Sequence, residues 1–338
     1  MSFGIVSLAH TLGEPVDVDP VVPEFTADVE RVRSWGYRRF HRAADGVGLT
    51  DLAVEAGRLA LERAAVAASE VDLVVLAMSD LSEYLYWDAA ASTAARLEAY
   101  DAEAVLLGQA CGGGVAAFDL VGGRFATHPD YDTALIIGAN RVCEPYWNRM
   151  EINTSIFSDG AAAAVVRRDH PRCRWMLTET LTDGRYADFM RMETGGAARP
   201  FGGGDHERPR VLSPTDRLQD FFADDLRRMF AFVSTIRNRN REIVERACAR
   251  AGIAVDDLAR LLHFHDNVNA FAELAKDLGL PLERTNTELA AEHGHVGCAD
   301  QLLSLERQLA AGELAEGDIV ALTSTGSGMH WLCTLLTI

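Results

Sequence analysis

The chain has 338 residues, with 32 Lys+Arg against 50 Asp+Glu, 48% hydrophobic residues and six cysteines. That composition excludes disorder, collagen-like repeats and a disulfide-stapled miniature, and it allows one large domain or two of ordinary size. The net charge of −18 excludes a general nucleic-acid binder, which needs a positive surface to displace counterions.

No apolar run reaches the ~18 residues of a membrane span. The opening MSFGIVSLAH lacks the basic and apolar segments of a secretion signal. No cysteines stand at metal or disulfide spacing, so a reducing cytoplasm is the expected compartment. Lys276 is the only lysine, set in the helical run AFAELAKDLG, and no GxxxxGK[ST] loop occurs. A phosphate-loop NTPase and a pyridoxal enzyme are both excluded.

Ala-rich helical periodicity alternates with short apolar runs along the chain, which predicts an α/β fold. Residues 51–68 predict an amphipathic helix, followed by a strand in VDLVVLAMSD at 71–80. TALIIGANR at 133–141 and AAAAVVRR at 161–168 predict further strands. The same succession recurs downstream: a helix over 241–252, a strand within 256–267, GDIVALTSTGSG at 317–328 and WLCTLLTI at 331–338. We therefore expect two related α/β halves, 1–170 and 171–338, meeting where RRDHPRC breaks the pattern. The Gly- and Pro-rich run 183–213 reads as a long loop over a site or along a subunit interface.

Chemistry concentrates in few places. AVLLGQACGGGVAAFDLVGG sets Cys111 after an apolar strand and before a helix, where the helix dipole favours thiolate and glycines permit close approach. Cys143, Cys173, Cys248, Cys298 and Cys333 lack that setting. His263-Phe264-His265-Asp266 and His293-Gly294-His295 form two histidine pairs. Alternation sends His263 and His265 to one face of a strand ending at His265, and Asp266 or Asn267 caps the helix from Val268. No carboxylate-rich pattern accompanies the histidines, so no metal site is expected.

Taken as an ordered set, GQACGGG, IFSDGAAAAVV, HFHDNVN, HGHVGCAD and STGSGMHW resemble the ketoacyl-ACP synthase III branch of the thiolase superfamily over nearly the whole chain. The resemblance implies a five-layer αβαβα fold of two similar halves. It implies an acyl-enzyme on Cys111, formed from an acyl-CoA or acyl-ACP thioester, with no permanently bound cofactor. By motif, His265 matches the first catalytic histidine, though Phe264 and Val268 replace the proline and asparagine of P-H-x-x-N. His295 replaces the asparagine of H-G-N, 30 residues later. Backbone N–H groups of Cys111 and of Ser327, in Gly326-Ser327-Gly328, would form the oxyanion hole.

The departures from the family set the expected chemistry. Cys111-His265-His295 is similar to decarboxylating synthases, whereas Asp300 suggests a Cys-His-Asp side branch that acylates hydroxyl or amino groups of specialised metabolites. A carboxylate orienting His265 would make it a better general base toward such acceptors. Asp300 also reads as an exposed acid stabilised by the dipole at the start of DQLLSLERQL. We expect an acyltransferase; the alternatives are decarboxylative condensation with malonyl-ACP and an inactive partner subunit. Glu30 and Glu151 occupy the positions where the family stacks adenine between tryptophan and arginine, with Trp35 and Arg149 nearby. Thr325 replaces a bulky residue before the glycine loop. Arg227, Arg228, Arg237, Arg239 and Arg241 either face solvent or dock an acidic carrier protein. The resemblance further implies a homodimer, with WDAAASTAARLEAY near its interface.

Overall fold

The computed structural model describes residues 2–201 and 212–338. The first part of the chain forms β1 (Phe3–Leu12), β2 (Glu14–Asp17), α1 (Val18–Phe25), α2 (Val29–Arg33), β3 (Arg39–Arg42) and α3 (Leu49–Ala64). There follow β4 (Leu73–Met78), α4 (Ala89–Arg96), β5 (Glu103–Leu107), α5 (Gly113–Thr127), β6 (Thr133–Asn140) and β7 (Gly160–Arg168). The second part forms β8 (Arg174–Thr182), α6 (Pro214–Phe222), α7 (Leu226–Ala251), β9 (Leu258–His263) and α8 (Val268–Leu278). It closes with α9 (Thr287–His293), α10 (Asp300–Ala310), β10 (Ile319–Gly326) and β11 (His330–Thr337).

Side-chain oxygens and glycines punctuate these elements, Asn267 where the sequence suggests a cap. Asp88 accepts from Ala91 N–H at the start of α4, and Asn267 accepts from Ala270 N–H at the start of α8. Gly252 and Gly279 end α7 and α8 at φ values of 72° and 71°, which a side chain would strain. The helix expected over 241–252 is the last part of the 26-residue α7. The strand expected within 256–267 shortens to β9, because a 3₁₀ turn over Val255–Asp257 precedes it and it ends at His263.

Nine strands form one sheet in the order β5-β4-β6-β7-β1-β8-β11-β10-β9, and β2 pairs with β3 apart from it. Outward from the β1–β8 seam, β7, β6 and β4 on one side repeat the pairing of β11, β10 and β9 on the other. In each set the outermost pair is parallel and the inner pairs are antiparallel.

Three of the hydrophobic clusters among the described residues hold five layers together, the middle one spanning both sides of the central helices. On one outer face, Leu52, Ala56 and Ala60 of α3 and Ala90 of α4 pack on Val74, Leu76, Leu135 and Ile137. On the other, Ile243, Val244 and Ala247 of α7 and Leu274 of α8 pack on Leu261, Ala321 and Trp331. Between the two parts of the sheet, Phe118, Val121 and Phe125 of α5 and Leu302 and Leu305 of α10 fill the middle. Burial of this apolar surface is the main force holding the layers together.

In the Ala-rich segment after Trp87, Ala89, Ala90, Thr93 and Ala94 of α4 are buried within the chain, while Ala91, Ala95 and Tyr100 are exposed. Of the expected 183–213 loop, residues 202–211 lie outside the described residues; Phe189, Met190, Arg191 and Met192 line the cavity described below. Arg237, Arg239 and Arg241 pair with Asp277, Glu242 and Glu245, as a solvated helix face does. Arg228 lies over the Phe222 ring.

Gly114 sets the approach of α5 to the α10 side of the site: a Cβ there would stand 2.1 Å from the Cys298 carbonyl oxygen. Gly114→Ala should therefore cost about 1–3 kcal/mol. Gly123→Ala, on the exposed face of the same helix with nothing within 4 Å, should instead stabilise by about 0.5–1 kcal/mol. Thermal unfolding of the two variants checks the contrast.

Candidate active site

Cys111 sits in a 3₁₀ turn, Ala110–Gly112, that runs directly into α5. Ala110 is held at φ 46°, a left-handed conformation costly for a residue with a side chain, so the chain turns sharply just before the sulfur. The Ser324 hydroxyl donates to the Cys111 carbonyl at 2.7 Å and fixes the turn against β10. Gly326 packs equally closely, since a Cβ there would lie 2.3 Å from the Gln109 carbonyl oxygen. Ser327 follows and lines the same cavity as Cys111.

A cavity of about 490 Å³ opens over the sulfur. Its wall includes Phe157, Phe264, His295, Asp266, Asn240 and Thr325. The Thr325 hydroxyl donates to the Asn240 side-chain oxygen at 2.7 Å, so the smaller residue before the glycine loop is tied to α7.

One histidine reaches the sulfur. His295 Nε2 lies 3.1 Å from Cys111 Sγ, and His295 Nδ1 lies 2.5 Å from Asp300 Oδ2. An Nδ1–H donated to the carboxylate leaves Nε2 to take the thiol proton. Phe157 and Phe264 flank the imidazole at ring distances of 4.6 and 5.3 Å. Burial opposes charge on His295, but Cys111 and then Asp300 outweigh it and hold the imidazole well above its ordinary range. Burial likewise works to raise the Asp300 carboxyl, yet His265 and His295 beside it hold it below the usual carboxylate range.

The structure corrects the role expected for His265. Its ring is fully buried and lies outside the cavity wall. His265 Nδ1 donates to the Gly294 carbonyl at 2.7 Å, and Nε2 accepts from the Ser304 hydroxyl at 2.8 Å. Asn286 Nδ2 donates to Ser304 Oγ at 2.9 Å, leaving the hydroxyl proton for the imidazole. Both ring nitrogens are thus occupied in the neutral form, and burial pushes the His265 pKa down despite Asp300. Asp300 Oδ1 does lie 3.3 Å from His265 Nδ1, but its shorter bonds go elsewhere: to His295 Nδ1, to the His265 backbone N–H at 2.7 Å and to Val296 N–H at 2.7 Å. The expected Asp300–His265 base is therefore an Asp300–His295 pair. Asp300 does open α10, as its sequence position suggests, but it is wholly buried.

Alternation along the chain explains the exchange. His263 and His265 both turn inward, His263 toward Thr323 Oγ1, and it is Phe264 between them that faces the cavity. Behind His295 runs a polar network with no obvious signature in the sequence. Ser158 N–H donates to the His295 carbonyl, Ser158 Oγ bonds the His293 carbonyl, and Asn140 Nδ2 donates to the Ser158 carbonyl. Gly294, at φ 63°, fits because a Cβ there would stand 2.5 Å from Ser158 Oγ. Ser158 and Asn140 stand within or beside apolar strand-like runs, where only the three-dimensional contact reveals them.

Neither residue expected near an adenine is free to stack. Trp35 is buried, with Arg31 over its ring, and Arg31 also bonds Glu151 at 2.5 Å. Arg149 is fully buried and bonded to Asp159 and Glu144. Glu30 is exposed and pairs with Arg33.

The six cysteines differ sharply in environment. Burial pushes the Cys248 thiol up to about 11 and the Cys298 thiol up to about 12, and raises Cys143, Cys173 and Cys333 as well. Iodoacetamide at neutral pH should therefore label Cys111 first. Peptide mapping that finds the earliest label on Cys248 or Cys173 contradicts this.

Comparison with known proteins bears on family and fold. Residues 107–184 match 3-Oxoacyl-[acyl-carrier-protein (ACP)] synthase III, and residues 248–338 match the C-terminal region of the same family. The beta-ketoacyl-[acyl-carrier-protein] synthase III 3 of Streptomyces coelicolor is 30% identical over 316 residues, covering 89% of this chain and 86% of that protein. The 3-oxoacyl-(acyl carrier protein) synthase III of Pseudomonas aeruginosa PAO1 superposes with a TM-score of 0.81 at 26% identity, covering 100% and 98% of the two chains. The acyltransferase ChlB3 superposes with a TM-score of 0.88 at 23% identity, over 100% of this chain and 98% of its own, a likeness of fold. With its thiolase-like fold, its ordered motifs and these matches along the chain, this protein belongs to the 3-oxoacyl-[acyl-carrier-protein] synthase III family.

Proposed function

We propose that this family member is an acyltransferase that loads an acyl group from an acyl-CoA or acyl-carrier-protein thioester onto Cys111 and passes it to a hydroxyl or amine. The observation that carries this reading is the chain Cys111 Sγ–His295 Nε2 and His295 Nδ1–Asp300 Oδ2, at 3.1 and 2.5 Å. A base backed by a buried carboxylate suits removal of a proton from an O–H or N–H acceptor. Decarboxylative condensation needs no such base, since loss of carbon dioxide creates the nucleophile. It needs donors on the enolate oxygen, and His265, occupied by Gly294 and Ser304, supplies none to the cavity.

His295 takes the Cys111 proton, the sulfur attacks the thioester carbonyl, and the N–H groups of Cys111 and Ser327 receive the oxyanion. Collapse breaks the donor's carbon–sulfur bond, the proton on His295 passes to the departing thiolate, and the acyl group stays on Cys111. His295 then serves as base for the acceptor.

Decarboxylative condensation with malonyl-ACP is the second reading. It is favoured by the names of the sequence relatives, which are beta-ketoacyl synthases. An inactive partner subunit fits less well, because the sulfur, its base and the carboxylate are all in contact.

Intact-protein mass spectrometry after incubation with acetyl-CoA, butyryl-CoA and malonyl-ACP tests these readings. Acyl addition should map to Cys111, and Asp300→Asn should slow both loading and transfer by ~100-fold, since one base serves both. Fast carbon dioxide release from malonyl-ACP, unaffected by Asp300→Asn, overturns transfer in favour of condensation.

We further infer a homodimer through the β5 edge of the sheet. β5 has a neighbour on one side only, and Leu106 on it is exposed. Tyr84, Leu85, Tyr86 and Tyr100 add an exposed apolar surface. An open edge beside such a surface is a feature that soluble chains cover. Sedimentation at micromolar concentration should give twice the chain mass of 36.8 kDa, and Leu106→Lys should shift it toward monomer.

A further inference from the structure

Asp266 stands on the wall of the cavity, in the connection from β9 to α8, yet the loading step has no use for it. Its carboxylate is held from one side. Oδ1 accepts from Asn267 N–H at 2.7 Å, from Asn267 Nδ2 at 2.9 Å and from the Ser155 hydroxyl at 3.4 Å. The Asp266 N–H donates to the Phe264 carbonyl, and Asn267 caps α8, so the backbone behind the carboxylate is fixed as well. Among the described residues no donor reaches Oδ2, and no arginine or lysine pairs with this side chain. Asp266 lines the same cavity as Phe157, Phe264 and Met190, and a carboxylate oxygen without a protein partner there is open to a ligand that brings a donor.

Resting on the acyl-transfer reading, we propose that Asp266 binds and positions the acceptor through Oδ2, and that the acceptor carries two N–H or O–H groups. One of them is the attacking group and the other is the group that Asp266 holds. Primary amines and 1,2-diols, including sugar diols, have that chemistry; simple alcohols lack the second donor, and anionic malonyl groups are repelled. In the transfer step the acceptor oxygen or nitrogen bonds to the acyl carbon and its proton passes to His295 Nε2. The carbon–sulfur bond breaks, Cys111 leaves as thiolate beside the His295 imidazolium, and an ester or amide departs.

Protonation of Asp266 removes this acceptor of hydrogen bonds. Burial pushes its pKa up to about 6, against the pull of Asn267 and of His295. Tyr37, a phenol that burial and Asp266 keep neutral, also acts on it; Asp80, which burial likewise pushes up to about 6, lines the same cavity with Cys111 and Arg191, and Asp300 lies beyond His295. Binding through Oδ2 therefore strengthens as pH rises through about 6.

The test uses protein pre-acylated with acetyl-CoA, mixed with 1,2-propanediol or with 1-propanol, and products quantified by mass spectrometry. The two probes differ by the second hydroxyl. The native protein should favour the diol by 10-fold or more, with the preference rising through pH 6. Asp266→Asn should bring the preference close to unity and flatten its pH profile, and Asp266→Ser serves as a second variant. Acyl-enzyme stoichiometry and melting temperature report whether each variant is folded. An equal rate with both probes in the native protein, or a diol preference that survives in both variants, overturns the proposal. If Cys111 never acquires an acyl group, the acyl-transfer reading falls, and this inference with it; loading followed by consumption of malonyl-CoA alone overturns the role of Asp266 and the O- or N-acceptor.

Discussion

One carboxylate without access to water, that of Asp300, organises the cavity wall that faces Cys111. Asp300 binds the His265 N–H, the Val296 N–H and the His295 ring, so it joins the connection after β9 to the connection before α10. Burying a carboxylate is costly, and its removal from a satisfied site leaves donors without partners. Here the position at the start of α10 adds the favourable end of a helix dipole to those hydrogen bonds. His295 takes its tautomer and its aim from this one contact.

The nucleophile arrives from the other part of the chain. Cys111 is carried by the turn into α5, and His295 and Asp300 by the turns around α9 and α10, so the site forms only where α5 and α10 pack together. Gly114 and Gly138 allow that approach, since a Cβ at either would meet the Cys298 carbonyl oxygen, at 2.1 and 2.4 Å. Small residues in the middle layer thus set the distance between Cys111 and the His295–Asp300 pair. Few of these contacts are local in sequence, and each depends on the apolar core around Phe118 and Leu302.

Much of this was legible in the sequence, for physical reasons that can be named. Strand-like runs such as TALIIGANR announce themselves because a strand buried on both faces needs continuous apolar residues. Cys111 stands out because a strand, a cysteine and glycines in succession leave few conformations for the turn. The His265 assignment went astray because motif position gives a residue's place in the chain but not the direction of its side chain. The strand stops at His263, and the next residues put Phe264 toward the cavity and His265 behind it. Ser304, which bonds the His265 ring, lies 39 residues from it, and Asn286, which bonds Ser304, lies 18 residues before Ser304, so neither leaves a local pattern. Asp266 was legible only as part of a helix cap; its free oxygen is a property of the cavity.

The shared middle layer also bears on how such chains can be rearranged. Val115, Phe118 and Val121 of α5 pack in one core with Leu302 and Leu305 of α10 and with Leu262, Val320 and Leu332 from the far strands. A fragment ending near the β1–β8 seam would expose that core and carry Cys111 without His295 and Asp300; its complement would carry that pair without Cys111. Recombination between relatives at that seam is therefore constrained by the fit of two surfaces and by the contact of Cys111 with His295 across them. Each fragment, though it resembles the other in strand order, is not an exchangeable module.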